Sequence, residues 1–227
     1  YHFSGGYMNE GGSVKKTGFK RYSIKGGLDS KLSEKVKVGF TSYYTYNLFE
    51  TGSNEAIRSA YRARPTGSAY YNDLVNPAES SDIDYKGYAV WMGINDKQVL
   101  SPLVEGEKDN FQHETRGASI LANAYAEFEP IKGLTFRSSI SVANNNDREG
   151  DFRGTFTKSQ KSTEKPRAQY DTRNESSYTW DNILNYNLHS GAHNLTITGV
   201  QSAFKYRYET SNIGVNNLPF SSGWYNL

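Results

Sequence analysis

The sequence contains no cysteine, which excludes disulfide frameworks, zinc–cysteine centres and thiol nucleophiles. It also has no long apolar run. The longest, residues 89–94, falls far short of the ~18 that a membrane-spanning helix needs, and the mean hydropathy is -0.75. Aliphatic bulk is scarce: Leu, Ile, Val and Phe together supply 44 of 227 residues, near the level at which a chain fails to build a core. Yet the large net charge that accompanies disorder is missing, because 26 basic residues face 24 acidic ones. Aromatics are plentiful at 14%, including 18 tyrosines. Such a chain folds, but not around an ordinary water-soluble core. No secretory signal opens it, and Tyr1-His2-Phe3-Ser4 already reads as strand interior. The chain is therefore expected to be a piece of a larger protein.

What is present is a period of two. Leu134, Phe136, Ser138, Ile140 and Val142 alternate with Thr135, Arg137, Ser139 and Ser141. Tyr178, Trp180, Leu184, Tyr186 and Leu188 share one face, interrupted by Asn182. Val36, Val38, Phe40, Tyr44, Tyr46 and Leu48 behave in the same way. Alternation of this kind marks strands with one apolar and one polar face. Seven such segments are expected, at roughly 1–8, 18–30, 36–48, 116–129, 134–143, 177–188 and 194–209. All six prolines fall between them, where a missing N–H breaks no ladder.

The connections alternate in length. Short turns follow the second, fourth and sixth segments, near residues 32–34, 130–133 and 189–193. The connections at the other end are long, above all 49–115 and 144–176. Short turns at one end and long loops at the other are how transmembrane β-barrels are built, with the turns periplasmic and the loops extracellular. A structureless loop as long as 49–115 counts against a compact soluble domain. The expected fold is thus all-β: an antiparallel arc of about seven strands from a large transmembrane β-barrel with long extracellular loops. Tyr43, Tyr44, Tyr46, Tyr206, Tyr208 and Trp180 lie near the outer strand ends and suit an interfacial aromatic girdle. A polar lumen also accounts for the low aliphatic count, since only half of each strand needs apolar residues.

Four stretches then carry a family resemblance. They are Gly6-Tyr7-Met8-Asn9-Glu10-Gly11-Gly12-Ser13-Val14 with Thr17-Gly18-Phe19-Lys20-Arg21-Tyr22; Leu28-Asp29-Ser30-Lys31-Leu32 running into Lys35-Val36-Lys37-Val38-Gly39; residues 123–137; and Trp180-Asp181-Asn182 with Leu184-Asn185-Tyr186 and His193-Asn194-Leu195. Together they resemble the barrel of SusC/RagA-type TonB-linked outer-membrane transporters. The matches cover most strand regions and leave out the two longest loops. The resemblance implies a barrel of about 22 strands around a plug. It also implies import of oligosaccharides or peptides beneath a SusD-like surface lipoprotein, with energy supplied by the TonB complex. On that reading residues 1–227 are a partial barrel domain without the plug, and TonB would act through an N-terminal part that this chain lacks. The end at Trp224-Tyr225-Asn226-Leu227 looks like loop.

No constellation points to catalysis or to a cofactor. His189 and His193 flank a Ser-Gly-Ala turn and read as solvated rather than metal-binding. No nucleophile elbow is present. Asp82 with Asp84, and Glu105 with Glu107, could each share one side of an extended stretch, but they lack the further oxygen ligands of a calcium loop. Lys15, Lys16, Lys20 and Arg21 cluster on an outward hairpin, where lipopolysaccharide phosphates are a better match than nucleic acid, and plain solvation a simpler one. The candidate solute-binding residues are the loop aromatics Tyr85, Tyr88, Trp91, Trp224 and Tyr225, whose faces can stack on sugar rings or anchor peptides. The principal alternative is a soluble β-rich carbohydrate-binding module, in which the apolar strand faces would meet in a packed core. A passive porin or adhesin barrel and a secreted glycosidase domain are further rivals.

Overall fold

A computed structural model of the chain describes residues 1–63, 65, 68–70, 87–88, 90–92, 98–107, 109–158, 165–220 and 223–226. Seven long strands form one sheet: β1 (His2–Gly11), β2 (Gly18–Lys31), β3 (Val36–Glu50), β6 (Phe111–Ile131), β7 (Leu134–Arg153), β8 (Arg167–Ser190) and β9 (His193–Val215). Each pairs antiparallel with its neighbour in chain order. Helix α1 (Asn54–Arg62), the short hairpin β4 (Val90–Met92) and β5 (Gln98–Leu100), and a 3-10 turn at Val104–Gly106 lie in the connection between β3 and β6. A second 3-10 turn, Trp224–Asn226, follows β9.

The register fixes the two faces. Tyr22, Tyr46, Ala118 and Asn146 stand side by side on four successive strands, so even-numbered residues of β2, β3, β6, β7 and β8 share a face. On β9 the same face takes odd numbers, because Trp180 opposes Ala203. This face carries Ile24, Phe40, Ile120, Ile140, Trp180, Leu184 and Ile197. Ile140, Trp180 and Leu184 remain 47–48% exposed, and among the described residues nothing packs over them. A soluble sandwich would cover this surface with a second layer; here the buried apolar residues sit at the long-connection end instead.

The apolar face is a band rather than a whole surface. It ends at Tyr22, Leu48, Ala118, Val142, Tyr178 and Ala203, and the next residues of the same parity are Lys20, Glu50, Arg116, Asn144, Ser176 and Lys205. The band has the ~9–11 residues per strand that a tilted crossing requires. Its polar interruptions are matched across strands: Asn182 Nδ2 donates to Gln201 Oε1 at 2.7 Å, and the Trp180 indole N–H donates to Ser138 Oγ at 3.0 Å. In a lipid environment such groups would otherwise lose several kcal/mol. At the upper edge of the band Tyr7, Tyr22 and Tyr46 form a ladder, with centroids 5.0 and 6.4 Å apart. The expected girdle is therefore only partly on one face: Tyr43, Tyr206 and Tyr208 have the opposite parity and belong to the polar face.

That polar face is laced across strands. Lys37 Nζ lies 2.9 Å from Glu127 Oε1, Arg137 lies over the Tyr125 ring at 3.9 Å, and the Tyr125 hydroxyl donates to Asp29 Oδ1 at 2.8 Å. Two of the short turns have two residues each, Lys132-Gly133 and Gly191-Ala192, with both glycines at positive φ. Pro130, expected between strands, lies inside β6 at a register shift between Phe128 and Ile131, where no ladder bond needs its nitrogen.

The strands outrun the sequence pattern. β7 continues to Arg153 and β8 begins at Arg167, so much of 144–176 is strand and the connection is residues 154–166. The reason is chemical: residues 144–149 and 171–177 are polar on both faces, so the alternation that marks a strand locally disappears there, and the apolar residues Phe152, Ala168 and Tyr170 return only near the far end, where they pack with Trp224.

The two faces give neighbouring residues opposite tolerances. In the closed barrel of the whole protein, embedded in lipid vesicles, Ile140→Lys is expected to cost about 2–4 kcal/mol of stability, whereas Ser139→Lys is expected to be near neutral. Urea titration of vesicle-embedded protein measures both. Equal costs would mean the faces are misassigned.

Candidate functional site

Above the band, the polar-face positions of three strands converge on a charged rim. β6 supplies His113, β7 supplies Glu149, Asp151 and Arg153, and β8 supplies Arg167, Gln169 and Asp171; these seven line a cleft of about 380 Å³. A neighbouring cleft of about 350 Å³ lies beneath α1, lined by Ser53, Glu55, Arg58 and Glu105, and shares His113 and Arg153 with the first. Pairing puts Glu149 opposite Asp171, Asp151 opposite Gln169 and Arg153 opposite Arg167. His113 sits between two carboxylates, with Nε2 3.0 Å from Glu149 Oε1 and Nδ1 3.5 Å from Asp151 Oδ2. Arg153 Nε donates to Asp151 Oδ1 at 2.9 Å. Gln169 Nε2 donates to Asp171 Oδ2 at 2.9 Å, and the Asn212 amide also donates to Asp171. Open, polar and multiply hydrogen-bonding, this surface can hold a hydrated solute. Among the described residues no cluster of three His, Asp or Glu side chains could hold a metal ion.

The rim is held up by a small packed unit in the β3–β6 connection. Ser53 caps α1 by accepting from the Glu55 N–H at 3.2 Å, and Ala56 and Ser59 are buried. Leu100 and Val104 form a core with Tyr88 and Phe156. Glu105 is only 3% exposed and accepts from the Lys158 N–H at 2.7 Å, which ties this unit to the β7–β8 connection. Burial pushes its carboxyl above the ordinary value. Glu107 takes the Tyr88 hydroxyl at 2.6 Å; burial and that bond push the Tyr88 phenol up to about 12. The β1–β2 connection locks in from the side. Lys16, at φ 61, donates through Nζ to the carbonyls of Glu107 and Phe111 at 2.7 and 2.8 Å, and its burial lowers its pKa.

The residues expected to bind solute are dispersed. Tyr85 lies outside the described residues, as do Asp82 and Asp84. Tyr88 stacks on Tyr70 at 5.3 Å within the loop unit. Trp91 belongs to β4, its backbone paired with Val99. Trp224 is 4% exposed: it lies over Gly150, stacks on Tyr170 at 5.6 Å and meets Arg116 at 5.0 Å. A Cβ on Gly150 would fall 1.9 Å from that indole. All these contacts are on the apolar-face parity, so Trp224 and the exposed Tyr225 pack outside the rim. Glu105 is in a 3-10 turn and Glu107 points elsewhere, so they do not form the extended acidic pair the sequence allowed. The basic cluster is also split, since Lys20 and Arg21 take opposite faces and Lys16 turns inward. His189 bonds Asn194, while His193 has the other parity.

Alternation predicts a loop over 144–176, and the charged rim falls partly inside that range, on β7 and β8. The available signal was spacing: Glu149, Asp151 and Arg153 continue the odd-numbered parity of Ser139 and Ser141.

A buried carboxyl with a raised pKa binds its proton more tightly folded than unfolded. Its stabilisation is complete below the ordinary carboxylate range and fades as pH rises through the raised value. Hydrogen-exchange protection at Lys158 and α1, corrected for intrinsic rates, is therefore expected to fall across that interval. Glu105→Gln is expected to flatten the profile; an unchanged profile in the variant would remove Glu105 as the cause.

No protein-family model matches the chain. Among curated proteins it is similar to TonB-dependent receptor P3 of Formosa agariphila, with 27% identity covering 96% of this chain and 21% of that protein. It is also similar to TonB-dependent receptor P26 of the same organism, with 24% identity covering 100% of this chain and 22% of the relative. The chain thus spans about a fifth of the length of the curated relatives it matches. Among solved structures, the RagAB peptide transporter superposes with a TM-score of 0.69 at 19% identity, covering 95% of this chain and 24% of that one. The RagAB peptide importer in its open-open state gives a TM-score of 0.62 at 21% identity, covering 94% and 23%. In sequence and in fold, the chain is similar to a stretch of the barrel of SusC/RagA-type TonB-dependent transporters, proteins of the Gram-negative outer membrane.

Proposed function

We propose that this chain is an arc of the wall of a TonB-dependent importer of oligosaccharides or peptides. The carrying observation is the sheet itself: one apolar band without a second layer, one polar face, and a charged rim at the end with the long connections. An open sheet leaves β1 and β9 with unpaired edges, which lipid cannot satisfy, so further strands must close the barrel. The apolar band faces lipid and the polar face lines the lumen. The connections within 49–115 and 144–176 are extracellular, and the rim meets solute before it reaches the lumen. A SusD-like lipoprotein would cover this end, and the TonB complex would act from the periplasmic side through a plug. The chain's own part is binding and guidance rather than catalysis. Among the loop aromatics, Tyr88 sits in the unit above the lumen face; Tyr85 and Trp91 share its connection. Trp224 and Tyr225 lie on the outward side, where contact with a partner or the lipid headgroup region fits them better than contact with solute.

This stretch carries no cysteine of its own, so single cysteines placed in it allow a direct topology test, read against the same protein without them. In intact cells, a membrane-impermeant maleimide is expected to label Tyr61→Cys on α1, a residue 94% exposed, and to spare Lys132→Cys in the β6–β7 turn until the cells are opened. Labelling of Lys132→Cys in intact cells would sink the orientation. Deletion of the gene is expected to abolish uptake of one oligosaccharide or peptide pool, measured with labelled solutes; unchanged uptake of both classes would sink the importer reading.

A further inference from the structure

We infer that Arg153 and Arg167 form a subsite for a single carboxylate group of the solute. The inference rests on the importer reading above for which side the solute approaches. The two residues are direct partners across the β7–β8 ladder and line the same cleft. Like charges in directly opposed positions repel and weaken a sheet, so the pair needs a counter-charge. The protein supplies only part of it. Asp151 takes the Nε of Arg153, and among the described residues no carboxylate pairs with Arg167. Two half-buried guanidinium groups on adjacent strands present planar donor forks, the geometry that holds a carboxylate in two parallel bonds.

The rest of the cleft narrows the class of ligand. Glu149 and Asp171, also directly opposed, lie four residues along the same strands, roughly 13 Å away at a strand's rise per residue. A polyanion long enough to reach them would be repelled. A solute with one carboxylate, followed by hydroxyl, amide or cationic groups, is accommodated. Both a peptide C-terminus and a terminal uronic acid satisfy that description.

The test measures equilibrium binding to the intact detergent-solubilised protein. The probes are a tetrapeptide and its C-terminal amide, and a glucuronate-terminated oligosaccharide and its neutral parent. Wild type is expected to prefer the free acid over its neutral counterpart by about tenfold in at least one pair, and that pair identifies the source of the carboxylate. Arg167→Gln is expected to abolish this preference without weakening the neutral probe. Arg167→Lys, which keeps the charge and loses the fork, is expected to retain part of it. Arg148→Gln, on the outward face, is expected to leave the preference intact. The subsite is overturned if Arg167→Gln weakens acid and neutral probes equally, if it leaves the preference intact, or if wild type prefers neither acid. None of these outcomes disturbs the importer reading, which stands or falls on uptake.

Discussion

Hydrogen bonding between neighbouring strands is the constraint on which everything else rests. A backbone crossing lipid has no water to bond, so each strand must find all its partners in the next. Continuous ladders from β1 to β9 provide this, with one register shift in β6, at Pro130. Once the ladders are fixed, side-chain direction follows with a period of two, and each strand divides between lipid and lumen. The same rule extends to side chains within the band. Asn182 with Gln201, and Trp180 with Ser138, meet across strands because lipid offers them nothing else.

The ladders continue beyond the band and there change purpose. Through residues 144–149 and 171–177 both faces are polar, and the face that is polar below continues upward as a row of charges. The rim at His113, Glu149, Asp151, Arg153 and Arg167 is the result. Its groups stand on strands rather than on free loops, so their spacing is set by the sheet. The loop unit around Val104 and Glu105 rests against it, held by Lys16 from one side and by Lys158 from the other. Trp224 seals the opposite face by lying over Gly150, where only a residue without a side chain leaves room.

Much of the fold was legible in the sequence. Alternation located all seven strands and the three short turns, because one apolar and one polar face impose a strong local pattern. The site was far less legible. Aromatic composition does not say which way a residue points: the loop aromatic Trp224 is buried on the apolar-face side, and Tyr43, Tyr206 and Tyr208, expected in the girdle, take the polar face. The charged rim is not legible from alternation, since 144–149 and 171–177 are polar on both faces and carry no hydrophobic period.

The sequence alone thus determined strand number, the two faces of the strands with clear alternation and the succession of short and long connections, all properties of residues close together in the chain. Only the tertiary structure decided which charges stand opposite one another. Arg153 and Arg167 face each other across the ladder because the two strands are held in one register by bonds along their whole length. That register is a non-local quantity: a one-residue slip would exchange the faces, and the polar stretches 144–149 and 171–177 do not specify it. It is imposed from both ends, by the apolar residues of β7 and β8 that share one face in the band and by Phe152, Ala168 and Tyr170 packed with Trp224 beyond it.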